Sequence, residues 1–314
     1  MTHAKFTIAH AGPQVTVQDA GRAGLMRFGV PASGPMDRLA YQIATQSLGN
    51  RQGASTIEVS LGGLTLLCTQ GQISFAVAGG SFHVMLDGQV LAPWCVASIR
   101  SGQTLTIRPG RWGNWCYLAF AGRSTCNTWL GSTATHLSSG LGGGKLVAGS
   151  EVVFEDAELR ETRHGAIAVP VTARPRRQMR VVLGPQDRFF TAETIKAFLS
   201  NPFTLTDAYD RMGVRLSGPL LTPAATMDMP SEPIVRGSVQ VAGDGVATVL
   251  LADHQTTGGY PKIATILSQD LDGFVQVRSR SDVRFVATDP KVAVEATRLR
   301  QAAFKTYLSR WSAG

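Results

Sequence analysis

The sequence predicts a mainly β chain with some α (an α+β class), built as two β-barrel-like units and closed by a C-terminal helix. Three observations carry this expectation. The 314 residues include 34 glycines, and short Val/Ile/Leu/Phe runs lie between many of them, as strands lie between tight turns. Apolar residues recur with period two: Ile57, Val59 and Leu61 alternate with Glu58 and Ser60. A stretch rich in arginine, with Pro170 and Pro175, divides a chain long enough for two ordinary domains.

Residues 1–160 read as the first unit. Phe6–Ala9 and Val15–Gln18 are expected strands. Ser33-Gly34-Pro35-Met36-Asp37 reads as a helix start, with Ser33 accepting from early N–H groups and Pro35 in the first turn. Leu39, Ile43 and Leu48, with Ala40 and Ala44, then form an apolar stripe at helical spacing, which Gly49-Asn50 ends. Strands follow at Leu64–Leu67, Ile73–Ala78, Phe82–Leu86, Leu105–Ile107, Trp115–Phe120 and Val152–Phe154, and Asp87-Gly88 is a hairpin signal.

Residues 161–178 read as a solvated basic linker and 179–314 as the second unit. It opens with a strand at Met179–Leu183, followed by a short helix at Thr191–Leu199 with Thr191 as cap. Strands are expected at 203–206, 213–217, 238–241, 246–252, 274–277 and 283–287. Ile263–Leu267 is too short for periodicity to separate helix from strand. Residues 290–311 form the closing helix, with Val292, Val294, Leu299, Phe304 and Leu308 on a broad stripe.

Composition narrows the function classes. A chain 44% hydrophobic and 17% charged is globular. Its longest apolar runs are too short to span a bilayer. Met1 to His10 holds no apolar core after a basic region, so the cytoplasm is the expected compartment. Cys68, Cys95, Cys116 and Cys126 are widely spaced and read as reduced thiols. The six histidines show no metal-ligand spacing, so metal-free chemistry is expected. Net charge is +8, much of it in Arg160, Arg163, Arg174, Arg176, Arg177 and Arg180. Aromatic residues are not interleaved with these arginines, which argues against nucleic acid. Gly140–Lys145 departs from a phosphate loop at both ends, where Ser139 and Leu146 stand.

Residues 252–263 are the most informative part of the chain. Apolar Val249–Ala252 runs into Asp253, His254, Gln255, Thr256 and Thr257. Gly258 and Gly259 then clear space for a ligand, Tyr260 follows, and Lys262 adds a cation. The alternative is an ordinary hairpin turn. Three further clusters are candidates. The first is Asp19–Arg22 with Ser33, Asp37 and Arg38, where Arg22 has the chemistry to grip a carboxylate. The second is Gly184-Pro185-Gln186-Asp187, whose N–H groups precede a helix. The third is Tyr209-Asp210-Arg211-Met212-Gly213, read as a polar pair at a barrel rim. Each also reads as a local turn.

The strings VTVQDAGRAG, RFGVPASGPMDR, IEVSLGGLTL, GPQD, DRMGVRL and ADHQTTGGYPKIA occur in order across nearly the whole chain. Together they resemble the biotin-dependent carboxyltransferase-like family, whose members are labelled as the C subunit of 5-oxoprolinase, KipA-like or allophanate hydrolase subunit 2. The resemblance implies cyclophilin-like β-barrel parts. It implies two partners, the KipI-like B subunit and the A subunit of 5-oxoprolinase, and a small amide as substrate, with no nucleic acid and no membrane. It also implies a hydrolase subunit, inactive alone, in an ATP-dependent complex that opens 5-oxo-L-proline to L-glutamate. On that reading Gln255, Thr256 and Thr257 bind the amide beside Gly258, Gly259 and Tyr260. Arg211 or Arg22 holds the carboxylate, near Ser33 and Asp37. Lys262 meets developing negative charge, and Asp210 or Asp253 orients groups or acts as base. ATP is expected at the level of the complex.

Two other roles follow from the same resemblance. One is a carboxyltransferase component of a urea-carboxylase-like system, with biotin on another chain. The other is a regulatory protein that binds a KipI-like partner.

Overall fold

The structure, a computed structural model, describes residues 2–224 and 229–311. Two compact units are present. The first comprises Met1–Arg22, Ser33–Arg174 and Lys305–Gly314; the second comprises Ala23–Ala32 and Pro175–Phe304. Two short segments thus lie in a different unit from the one sequence order gives them.

In the first unit, seven strands form one antiparallel sheet. Their order is Arg123–Ser124, Glu151–Glu155, His3–Ala11, Leu64–Gln70, Thr104–Arg108, His83–Leu86 and Gln89–Leu91. Six more form a second sheet, ordered Gly165–Ala166, Cys95–Arg100, Gln72–Ala78, Cys116–Phe120, Thr56–Val59 and Thr16–Gln18. Aromatic rings join the two. Phe6 and Phe154 come from the first sheet, Phe75 and Phe120 from the second, with centroids 4.7 Å apart for Phe6–Phe120 and 4.5 Å for Phe120–Phe154. Such pairs add to the area they bury. The Asp87-Gly88 hairpin forms as expected, with both residues at positive φ (47° and 79°).

Helix α1 (Arg38–Ser47) buries Leu39, Ala40, Ile43 and Ala44. Its cap is Asp37, whose Oδ1 accepts from Ala40 N at 2.9 Å, and not the expected Ser33. Ser33 stands at φ 51°, four residues too early to reach the first-turn donors. Removing the capping oxygen leaves buried N–H groups without it. Asp37→Ala is expected to lower unfolding stability by about 1–2 kcal/mol, read from urea denaturation. The alternating pattern at 57–61 also needs correction. Strand Thr56–Val59 is buried on both faces, and Glu58 lies inside. Its Oε2 accepts from Tyr117 O–H at 2.7 Å and from Met36 N at 2.8 Å.

In the second unit seven strands close into a barrel. The order is Gln178–Leu183, Lys262–Ile266, Ser238–Val241, Ala247–Leu250, Gly213–Ser217, Phe203–Tyr209 and Asp282–Ala287. The last returns to the first in parallel, and the other pairings are antiparallel. Helix α2 (Ala192–Ser200) is capped by Thr191, which accepts from Thr194 N at 3.2 Å. It seats Phe198 against Phe203 and Phe285, with ring centroids 5.8 and 4.5 Å away. The ambiguous 263–267 run is strand, ending at Ile266. The strand expected at 274–277 is instead the end of helix α3 (Ser268–Val275). Leu271, Phe274 and Val275 are buried at helical spacing, which the strand-like alternation of Val275 and Val277 about Gln276 concealed.

The arginine-rich stretch is solvated only in part: Arg174 and Arg177 are exposed. Gly165–Ala166 pairs with Cys95–Val96 as a sheet edge. Arg160 Nη1 donates to Leu48 O and Asn50 Oδ1. Buried Asp270 accepts from Arg180 Nε at 2.9 Å and Nη2 at 2.6 Å. Arg160 and Arg180 thus have defined partners. The closing helix α4 spans Pro290–Ser309. Beyond Phe304 it belongs to the first unit, where Tyr307 O–H donates to Ala168 O at 2.6 Å and Arg163 Nη1 to Trp311 O at 2.7 Å. Among the described residues no helix is long and apolar enough to cross a membrane.

Candidate functional site

The barrel of the second unit carries an open cavity of about 660 Å³. Tyr209, Asp210, Met212 and Gly213 line one side, at the turn between two barrel strands. Gln255 and Tyr260 line it from the glycine-bearing loop, and Gln240, Thr248 and Arg215 from strands. Two sequence clusters far apart in the chain therefore share one opening.

Each predicted residue has a defined place. Asp210 Oδ1 accepts from Met212 N at 2.8 Å and Gly213 N at 3.2 Å, which fixes the turn. Arg211 does not pair with it at a rim. Arg211 points inward and meets Asp253 two-pronged, Nε to Oδ2 at 2.9 Å and Nη2 to Oδ1 at 2.8 Å. The two side chains are 1% and 3% exposed. Asp253 N also donates to Arg211 O at 2.8 Å. This pair ties the Asp210 turn to the start of the 253–262 loop. His254 is buried, its Nδ1 2.6 Å from Gln255 O.

The loop itself folds into a short ribbon. Thr257–Gly258 pairs with Glu232–Pro233. Thr256 O accepts from Ile234 N at 3.2 Å, and Gln255 and Tyr260 stay exposed. A Cβ on Gly258 would stand 2.9 Å from Gln240 Nε2, so glycine is required by close approach. Gly259 is less confined; its nearest contact from a Cβ would be 3.5 Å. Gly258→Ala is expected to displace the Gln240 amide, which donates to Tyr260 O at 3.2 Å. A KM raised several-fold with a nearly unchanged melting temperature is the outcome to look for in steady-state kinetics and thermal unfolding.

Lys262 opens the next strand and lies across the ladder from Gln240. Its side chain is 2% exposed. Burial pulls its ammonium below the ordinary value, and Glu232 opposes that shift. Glu232 Oε2 is 3.8 Å from Nζ. Gln186 braces the lysine's backbone: its Oε1 accepts from Lys262 N at 3.1 Å, and its own N donates to Lys262 O at 3.2 Å. The N–H of Gln186, expected at an anion, is thus engaged. The helix it precedes is capped by Thr191.

Arg22, Ser33 and Asp37 belong to the first unit. Arg22 donates to the carbonyls of Trp129, Ser132 and Ala134. Asp19 accepts from Ser132 Oγ at 2.6 Å and Thr133 N at 2.7 Å. Asp37 caps α1, and Ser33 is buried at its positive φ. Within the Gly140–Lys145 run Gly142 and Gly143 are confined: a Cβ on Gly142 would meet Ala134 O at 2.2 Å, and one on Gly143 the Val17 side chain at 2.8 Å.

Sequence reading missed Gln240, Glu232 and Arg215, and named Tyr209 only as part of the Asp210 turn. Gln240, between Val239 and Val241 in an otherwise apolar strand, was the one legible signal among them. No group of three or more metal-ligating side chains occurs among the described residues.

These features sit on a recognisable family. The family model described as carboxyltransferase domain, subdomain A and B, matches residues 28–287. The chain belongs to this carboxyltransferase-domain family. It is 34% identical over 291 residues to a Haemophilus influenzae protein named as the C subunit of 5-oxoprolinase, covering 92% of each. It is 31% identical over 301 residues to the Escherichia coli protein of that name, covering 95% of this chain and 96% of that one. The solved K. lactis urea amidolyase shares the fold, with TM-score 0.86 at 24% identity over 98% of this chain and 20% of that one.

Proposed function

We propose that this chain is one subunit of an ATP-dependent complex that opens 5-oxo-L-proline to L-glutamate. The observation that carries the reading is similarity at 34% and 31% identity over nearly the whole length to two proteins named as the C subunit of 5-oxoprolinase. The cavity fits a small polar amide. Gln255, Gln240 and Thr248 offer donors and acceptors, and Tyr209 and Tyr260 offer flat apolar area. Arg215 lines the same opening, half-exposed and 2.7 Å from Asp244, and is the cation available there for a carboxylate.

Phosphoryl transfer from ATP to the lactam oxygen makes the ring carbon electrophilic. Water adds to that carbon, the C–N bond breaks as the nitrogen takes a proton, and a second water cleaves the resulting acyl phosphate to release phosphate. Negative charge develops on oxygen as water adds, and a fixed cation in a dry setting stabilises it more than water does. Lys262 is not itself in the cavity wall but lies across the ladder from Gln240, which is, and is assigned that task. Asp207 and Asp210 both line the opening; Asp207 is paired with Arg280, and Asp210 is the candidate base. Arg211 and Asp253 engage each other and are assigned to hold the two halves of the site. The Gly140–Lys145 run departs from a phosphate loop at both ends, and the ATP site is assigned to a partner chain or to an interface with one. The partners proposed are the KipI-like B subunit and the A subunit of such a complex, and the isolated chain is expected to be inactive.

The test is 5-oxoproline-dependent ATP hydrolysis by the reconstituted complex with Lys262→Ala and Gln255→Ala variants. Wild-type turnover in both removes the site assignment. A biotinylated carrier that drives carboxyl transfer to an amide, with no oxoproline cleavage, supports the carboxyltransferase role instead.

A further inference from the structure

Lys262 is buried, and no described residue accepts a hydrogen bond from its Nζ. An ammonium in that state is unfavourable unless something compensates its charge. The nearby carboxylate of Glu232 stands at 3.8 Å, within ion-pair range but beyond a hydrogen bond.

Its position is set by other residues. Glu232 Oε2 accepts from Gln186 Nε2, and Gln186 in turn grips the Lys262 backbone through its own N and Oε1. On the other side, the Glu232 backbone pairs with Gly258 of the site loop. One glutamine therefore joins the lysine's main chain to the carboxylate that faces its side chain. The strands flanking Lys262 contribute neutral Gln240 and, further along, Arg180, which is engaged with Asp270. The 3-10 turn Asp187–Phe189 that packs on the lysine's strand carries Asp187 and Arg188, and among the described residues Glu232 is the carboxylate within ion-pair range of Lys262.

We infer that Glu232 is a positioning residue that, held by Gln186, keeps the Lys262 ammonium charged while leaving its N–H donors for an oxygen of the ligand. The inference rests on Lys262 meeting negative charge in the proposed reaction. A carboxylate in full contact would occupy those donors and weaken the lysine as an oxyanion partner. With no carboxylate, the desolvated amine would shed its proton more easily. The observed spacing meets both needs. Burial lowers the lysine's proton affinity and Glu232 restores part of it. Loss of the Glu232 charge therefore moves the titration to lower pH.

The test uses the isolated full chain with 13C-labelled lysine, following the 13Cε shift of Lys262 against pH. The signal is assigned by its loss in Lys262→Arg. In Glu232→Gln the midpoint is expected at lower pH than in wild type. Glu232→Asp is expected to lie on the wild-type side, and Gln186→Ala to move toward Glu232→Gln. In the reconstituted complex, the alkaline limb of kcat/KM should move to lower pH in Glu232→Gln. An unchanged or higher midpoint in both Glu232→Gln and Gln186→Ala overturns the inference, as a purely structural role would change melting temperature alone. A wild-type complex that never cleaves 5-oxoproline refutes the functional reading and leaves the titration result standing.

Discussion

Replacing Lys262 with methionine is expected to cut 5-oxoproline-dependent turnover by about 100-fold or more while leaving the chain at least as stable as wild type. Loss of one fixed donor at a developing oxyanion typically removes that much rate. Stability should move the other way because a buried ammonium lacking hydrogen-bond acceptors is exchanged for an apolar side chain of similar length. The pH dependence separates this from a general folding effect. Lys262 has its pKa lowered in the folded protein by burial, so the unfolded chain binds the proton more tightly. The penalty is fully present below the folded value. It is relieved as pH rises toward the ordinary lysine value of 10.5. The wild type should therefore gain stability relative to Lys262→Met as pH climbs through that window. Urea unfolding of both proteins at several pH values measures the difference directly. The comparison also cancels the opposing contributions of Tyr41 and Tyr117, whose pKa values burial raises in both proteins.

Asp253→Ala is expected to be the most destabilising single change in the barrel, by about 3–5 kcal/mol. Arg211 and Asp253 are almost completely buried and meet through two hydrogen bonds. Removing the carboxylate takes two charge-assisted hydrogen bonds away from a buried guanidinium. The double variant Arg211→Met, Asp253→Leu should recover much of the loss, because two apolar side chains have no such need. Denaturant midpoints for the single and double variants decide the matter. A loss under about 1 kcal/mol for Asp253→Ala would mean the pair behaves as an exposed one.

The fold was legible where local chemistry and burial agreed. Alternating and apolar runs marked most strands, Thr191 marked the start of α2, and Asp87-Gly88 marked a hairpin. Legibility failed where tertiary partners overrode local pattern. Glu58 looks like the outward residue of an amphipathic strand, yet Tyr117 and Met36 satisfy it inside. Arg160 and Arg180 look solvated in the sequence because their partners, Leu48 O, Asn50 and Asp270, are remote in it. Asp37 displaced Ser33 as cap because Ser33 takes a left-handed backbone ahead of the helix.

The candidate site was legible in part for the same reason. Composition pointed to the 252–263 loop and to the Asp210 turn, and the barrel brings Gln255, Tyr260 and Asp210 to one cavity. It could not reveal that Arg211 is consumed by Asp253, since forty-two positions separate them. Nor could it reveal Glu232, which sits beside Pro233 with no motif around it. That carboxylate gains meaning only when the Thr257–Gly258 ribbon and Gln186 bring it to Lys262.

The most direct measurement is glutamate formation from 5-oxoproline and ATP by the complex assembled with and without this chain. Stoichiometric glutamate and ADP are predicted only when the chain is present, with near-complete loss for Lys262→Met in an intact complex. Equal turnover without the chain, or full turnover with Lys262→Met, would contradict the assignment.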